Sequence, residues 1–316
     1  MYTRREFGIL SAGALGVMAL PRSLFAIDSK VAGVRLGVQS YSFRELPRPE
    51  GADMVDVVIK AMTECGLGEC ELFAPHIEPR MPMMFGRPRP APGSPEAEKA
   101  RAEMEKARAE LRSWRTGTPL DHFRGIKKKF DAAGIKIFGF NYSFNQSFDD
   151  AEIERGFLIA KALGAEIITA STTLPVAKRV APFAEKHKLV VAMHGHSNLK
   201  DPDEFATPES FTAAMKMSSY YKINLDIGHF TAANFDAVAY LKEHHAHITN
   251  LHLKDRKKDQ GENTPWGQGE TPIKEVLQLL KKEKWPIPAY IEYEYKGSAP
   301  IEEVKKCYAY AKQALA

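Results

Sequence analysis

The sequence predicts an α/β chain folded as a (β/α)8 TIM barrel with a long insertion after strand 2. Three observations carry this. Eight short runs rich in apolar and β-branched residues lie between Val34 and Tyr295, segments of helical periodicity follow them, and the same helix-to-strand junction recurs as "AAGIKI" and "ALGAEI". Strands that alternate with helices read as parallel βαβ units, and eight of them favour a closed barrel over an open sheet.

In order, the strand candidates are 34–40, 69–73, 135–140, 165–170, 189–193, 222–227, 247–253 and 287–295. Helix ends are marked by their punctuation. "DMVDVVIKAMTEC" stops at Gly66, "LDHFRGIKKKFDAA" runs from Pro119 to Gly134, and "DDAEIERGFLIAKAL" stops at Gly164. Proline at a helix start and glycine just past its end is the expected asymmetry. The connection between Phe73 and Ile135 is longer than a barrel needs. Its first part is irregular and rich in Pro, Met and Arg; "PEAEKARAEMEKARAELRSW" then reads as a charged helix with i,i+4 pairs. Residues 74–118 are expected as either a solvated decoration or a lid over the barrel mouth.

The first 26 residues contain the pair Arg4-Arg5, then Phe7, an apolar run from Gly8 to Leu20, and Pro21. This resembles a twin-arginine export signal, too short and too rich in small residues for a spanning helix. The expected division is therefore a signal at 1–26 and a barrel at 27–316. The mature chain is expected in the periplasm or another extracytoplasmic space, with no stable membrane insertion after cleavage. Of the 44 basic and 40 acidic residues behind the net charge of +4, the signal holds Arg4, Arg5, Arg22 and Glu6; the remaining 41 and 39 leave +2. No basic field for nucleic acid follows from that balance. Cys65, Cys70 and Cys307 match no disulfide or metal spacing and are expected as buried thiols or one incidental pair.

A barrel of this kind carries its chemistry at the C-terminal ends of its strands. There the sequence supplies Gln39 and Ser40, Glu71 with His76, Asn141, Ser171, His194 and His196, Asp226 with His229, His252 with Lys254 and Asp255, and Glu292. His194, Asp226, His252 and Glu292 end strands five to eight, neighbours around the ring, and form a candidate metal set. Imidazole mixed with carboxylate suits Mn²⁺ first, with Zn²⁺, Co²⁺, Mg²⁺ or Fe²⁺ as alternatives, and excludes a dedicated Ca²⁺ cage. Strand parity supports the set: in "ITNLHL" His252 shares a face with Asn250, and in "AYIEYE" Glu292 shares one with Tyr290 and Glu294.

The stretches "NLDIGH", "NLHLKD", "YIEYE" and "WGQGETPIKEVLQLLKKEKWPIPAYIE" resemble the xylose isomerase-like sugar phosphate isomerase/epimerase superfamily. The resemblance implies a metal-binding barrel and carries the family's aspartate onto Asp226, its metal histidine onto His252 and its last glutamate onto Glu292. The fifth-strand ligand, usually glutamate, is His194 here. A symmetric epimerisation by two glutamates is therefore in question, because that fifth-strand carboxylate would be one of the two proton carriers. A divalent-metal-dependent isomerase or epimerase is expected, acting on a sugar or keto-sugar through an enediolate. Glu292 is the candidate base, with Lys254 or His229 as partner acid. Glu71, His76, Asn141, His196 and His229 are expected to contact substrate. Alternatives are a lyase, eliminase or hydrolase of 3-keto-glycosides, an AP endonuclease-like phosphodiesterase, and a non-catalytic sugar-binding barrel. The expected partner is a small carbohydrate rather than nucleic acid; a homo-oligomer is left open.

Overall fold

The computed structural model describes residues 26–48, 52–81 and 90–316. Eight strands form the barrel: β1 (Val34–Gln39), β2 (Glu69–Phe73), β3 (Lys136–Asn141), β4 (Ile167–Ala170), β5 (Val190–His194), β6 (Tyr221–Asp226), β7 (Ile248–Leu253) and β8 (Ala289–Ile291). All neighbours are parallel, and β1 pairs with both β2 and β8, which closes the ring. The strands start or stop within two residues of the expected ranges, except β8. After Ile291 the chain leaves the ladder, because Tyr293 donates its N–H to Ser42 Oγ at 2.9 Å instead of to a strand.

Sequence periodicity becomes packing in the usual way. Helix α1 (Met54–Cys65) buries Val55, Val58, Ala61 and Met62 against the barrel and is capped by the Asp53 side chain on the Val55 N–H. Gly66, Gly134 and Gly164, each predicted to end a helix, all sit in the left-handed region at φ near 70°. Inside the ring, Phe138, Ile167, Ala192 and Tyr290 form an apolar layer. The three cysteines are free and buried.

The insertion carries α2 (Pro95–Gly117), and α3 (Leu120–Ala132) follows it into β3. Of α2, Leu111 and Arg115 are buried. Arg115 holds Glu78 through two hydrogen bonds of 2.8 and 2.9 Å and Glu152 of α4 (Asp150–Ala162) at 3.3 Å, while Arg112 reaches Glu152 at 2.7 Å. The Arg115 guanidinium also lies 4.7 Å from the Phe148 ring centre. These contacts pin α2 to the barrel flank. None of its residues lines the cleft described below. Residues 82–89, the core of the irregular part, and residues 1–25, nearly all of the expected signal, lie outside the described residues. Among the described residues, no helix is long and apolar enough to cross a membrane.

Candidate active site

At the C-terminal ends of the strands a polar cleft of about 210 Å³ opens, with His194, His196, His229, His252, Lys254, Glu292 and Glu294 in its wall. Each main ligand candidate comes from a different strand. His194 and Asp226 end β5 and β6, His252 is the penultimate residue of β7, and Glu292 follows β8 with its N–H still on Leu253 O at 3.0 Å. One ligand atom from each of these four lies within 4.8 Å of all the others, and all four residues are buried.

Four buried side-chain atoms here lack a hydrogen bond: His194 Nδ1, Asp226 Oδ2, His252 Nδ1 and Glu292 Oε2. Each belongs to a different member of the set. Buried polar atoms without partners are costly, and this many, convergent and of mixed imidazole and carboxylate type, fit a divalent cation. The Lys254 ammonium stands 3.1 Å from Asp226 Oδ2 and 3.0 Å from Glu292 Oε2, at ion-pair distance but without hydrogen-bond alignment. Its hydrogen bonds go to Glu294 at 2.7 Å and to His229 Nε2 at 3.1 Å.

The charge states follow from these contacts. Burial pushes the His194 and His229 rings well below the ordinary imidazole range, so both are neutral, and His194 keeps Nδ1 free. Burial also raises the Asp226 carboxyl, to about 6, against the pull of Lys254. For Glu292 burial acts upward, but Lys254 and His252 overcome it and hold the carboxyl well below its usual range. His252 is the opposite case: burial acts downward, yet Glu71 and Glu292 raise it to about 10.

Beneath the cleft lies Glu71, fully buried. It accepts from Gln39 Nε2 at 2.7 Å, Thr169 Oγ1 at 2.6 Å and Asn250 Nδ2 at 2.8 Å, and meets His252 Nε2 at 2.8 Å. The expectation that Glu71 contacts substrate is corrected by this geometry. Its oxygens are saturated and it supports a ligand from behind. His76 is corrected likewise: it is buried outside the cleft, with Nδ1 3.1 Å from Ser40 Oγ. Asn141 lines the cleft and donates to Thr169 Oγ1 at 3.1 Å. His196 also lines it, held 3.0 Å from Glu204, whose carboxyl this contact lowers.

His229 sits between two cations. Its ring nitrogens are 3.1 Å from Lys254 Nζ and 2.7 Å from Arg256 Nη1, while its backbone N–H is capped by Asp226 at 2.7 Å. A second group, His194, His196 and His229, also brings ligand atoms within 4.8 Å. It holds no carboxylate and faces both cations, so it suits a metal less well than the four-residue set. Three residues of the site were not read from sequence. Phe73, packed edge-on against Tyr41 at 5.2 Å, walls the cleft; Ser143 lines it; Arg256 fixes His229. Phe73 is the last residue of β2, at the strand end where a barrel carries its chemistry, so its place in the sequence could have flagged it. Tyr41 also lines the cleft, whereas Tyr142 and Phe144 are core.

A parallel barrel with this cluster at its strand ends defines a class, and the chain belongs to the xylose isomerase-like TIM barrel family, whose model matches residues 98–313. A search of curated proteins finds no match. Solved structures similar to it include a sugar phosphate isomerase/epimerase from Parabacteroides distasonis (17% identity, 90% of this chain and 95% of that one, TM-score 0.56). Others are the probable 3-DHS dehydratase AsbF from Bacillus anthracis (13%, 87% and 98%, 0.58) and the IolI protein with a bound zinc atom (13%, 89% and 98%, 0.60). At these identities the likeness is one of fold.

Proposed function

We propose that the protein is a divalent-metal-dependent isomerase or epimerase of a sugar or keto-sugar. The convergence of four unpartnered ligand atoms beside Lys254, in a polar cleft at the strand ends, carries this reading. Mn²⁺ is the proposed ion, held by His194, Asp226, His252 and Glu292. When bound, it supplies Lewis-acid stabilisation of the negative charge that develops on a substrate carbonyl oxygen.

The chain's own groups do the rest. Glu292, kept ionised by Lys254, takes the proton from the carbon beside the carbonyl, and the C–H electron pair becomes the double bond of an enediolate. Lys254, held by Glu294, supplies a proton to the oxygen or carbon where the new C–H or O–H forms, while His229, kept neutral between Lys254 and Arg256, orients it. Asn141 and His196 contact sugar hydroxyls, and Tyr41 and Phe73 wall off water.

A second reading, elimination from a 3-keto-glycoside, is favoured by one observation. The fifth-strand position holds the neutral His194, so no ligand carboxylate faces Glu292 from that side to return a proton. The twin-arginine pattern at Arg4-Arg5 supports an exported enzyme with extracytoplasmic sugars as substrates. A keto-sugar panel incubated in D2O with the Mn²⁺-loaded protein tests both readings by mass spectrometry. Isomerisation adds deuterium to an otherwise intact product, and elimination splits the substrate. Neither outcome across the panel counts against the enzyme.

A further inference from the structure

We infer that the cleft selects an uncharged sugar and rejects its phosphate ester, an inference that rests on the sugar reading above. Phosphate sites are built from free backbone N–H groups in glycine-rich loops and from cations with donors to spare. The loop "WGQGE", Trp266 to Glu270, in the connection that follows β7, is the glycine-rich candidate. It is a working anion nest, but the chain fills it with its own carboxylate. Gly267 and Gly269 donate their N–H groups to Asp255 Oδ2 at 2.7 and 3.0 Å, and Thr271 donates to Oδ1 at 3.1 Å. The fit is close: a Cβ at Gly269 would lie 2.2 Å from Asp255 Oδ1, so only glycine allows the backbone this near.

The neighbouring cations are committed in the same way. Lys254 has three carboxylates within 3.1 Å, those of Asp226, Glu292 and Glu294. Arg256 spends Nε and Nη2 on Gly261 O at 3.1 and 2.7 Å, and Nη1 on Ser197 and His229 at 2.9 and 2.7 Å. With a divalent ion bound, the three carboxylates balance that ion and Lys254 together. Among the described residues that line the cleft, no cation then has donors to spare for a phosphate dianion. A phosphate dianion seated here would give up its water without gaining donors, which corresponds to a loss of affinity of roughly 100-fold or more.

Calorimetric titration of the Mn²⁺-loaded full-length mature chain with ketohexoses and their 6-phosphates tests the inference. At least one free sugar is expected to bind, with its phosphate roughly 100-fold weaker. A phosphate ester that binds as tightly as its free sugar overturns the inference and leaves the sugar reading standing. Absence of binding by every member of both series overturns the sugar reading itself. A second measurement probes the nest directly: millimolar inorganic phosphate should leave the unfolding temperature of the wild type unchanged and raise that of Asp255→Ala, in which three N–H groups are freed. Stabilisation of the wild type by phosphate would show an open anion site and contradict the inference.

Discussion

Glu71 Oε2 and His252 Nε2 meet at 2.8 Å inside the barrel, and that contact leaves His252 Nδ1 facing Glu292 at 3.2 Å and Asp226 at 4.0 Å. A carboxylate behind a histidine fixes the ring's orientation and raises its basicity as a ligand. Glu71 itself cannot turn, because Gln39, Thr169 and Asn250 hold it from three other strands. Glu71→Gln brings an amide NH2 into a ring of donors and is expected to weaken Mn²⁺ binding by about 10–100-fold. Calorimetric titration with Mn²⁺ checks this, with circular dichroism as the control for folding; unchanged affinity would remove Glu71 from the site.

Metal binding should release protons. In the metal-free protein His252 is raised to about 10, so it is protonated at neutral pH, whereas a ligand nitrogen must be deprotonated. Affinity for Mn²⁺ is therefore expected to rise with pH up to about 10, and to fall further below about 6, where Asp226 gains its proton. The same raised value means that His252 stabilises the metal-free fold below its ordinary pKa and that this contribution is lost as pH climbs toward 10. Titrations in buffers of different ionisation enthalpy should report about one proton released per ion at pH 7. No release would mean that His252 is not a ligand.

Glu292→Gln separates binding from chemistry. The amide keeps an oxygen for the ion but cannot accept a proton, so turnover should fall by about 100- to 10,000-fold while bound Mn²⁺ stays near the wild-type level. Full activity in this variant would assign the base elsewhere.

The insertion is held by charge. Arg115→Ala leaves Glu78, itself buried, without its bidentate partner, and removal of one member of a buried pair typically costs about 3–5 kcal/mol. Urea unfolding should show that loss. Metal affinity should be untouched, because α2 contributes nothing to the cleft wall.

Strand periodicity and helix punctuation were legible in the sequence because they are local: Gly66, Gly134 and Gly164 end helices by their own backbone freedom. Parity also located His252 and Glu292 on the inner face, since alternation along a strand needs no knowledge of its neighbours. What ring closure creates was not legible. Glu71 reads as a rim residue until β7, 181 residues further on, brings His252 against it. Asp255 likewise reads as a partner for Lys254; in the fold it turns away and fills the loop of Gly267 and Gly269, while Lys254 turns to Asp226, Glu292 and Glu294.

A divalent ion is expected among His194, Asp226, His252 and Glu292 rather than among the three histidines His194, His196 and His229. Elemental analysis of purified wild type, Asp226→Asn and His196→Ala after Mn²⁺ loading distinguishes these most directly. The four-residue site predicts about one ion per chain in wild type and in His196→Ala, and almost none in Asp226→Asn. A metal-free wild type, or an ion that survives in Asp226→Asn and is lost in His196→Ala, would contradict it.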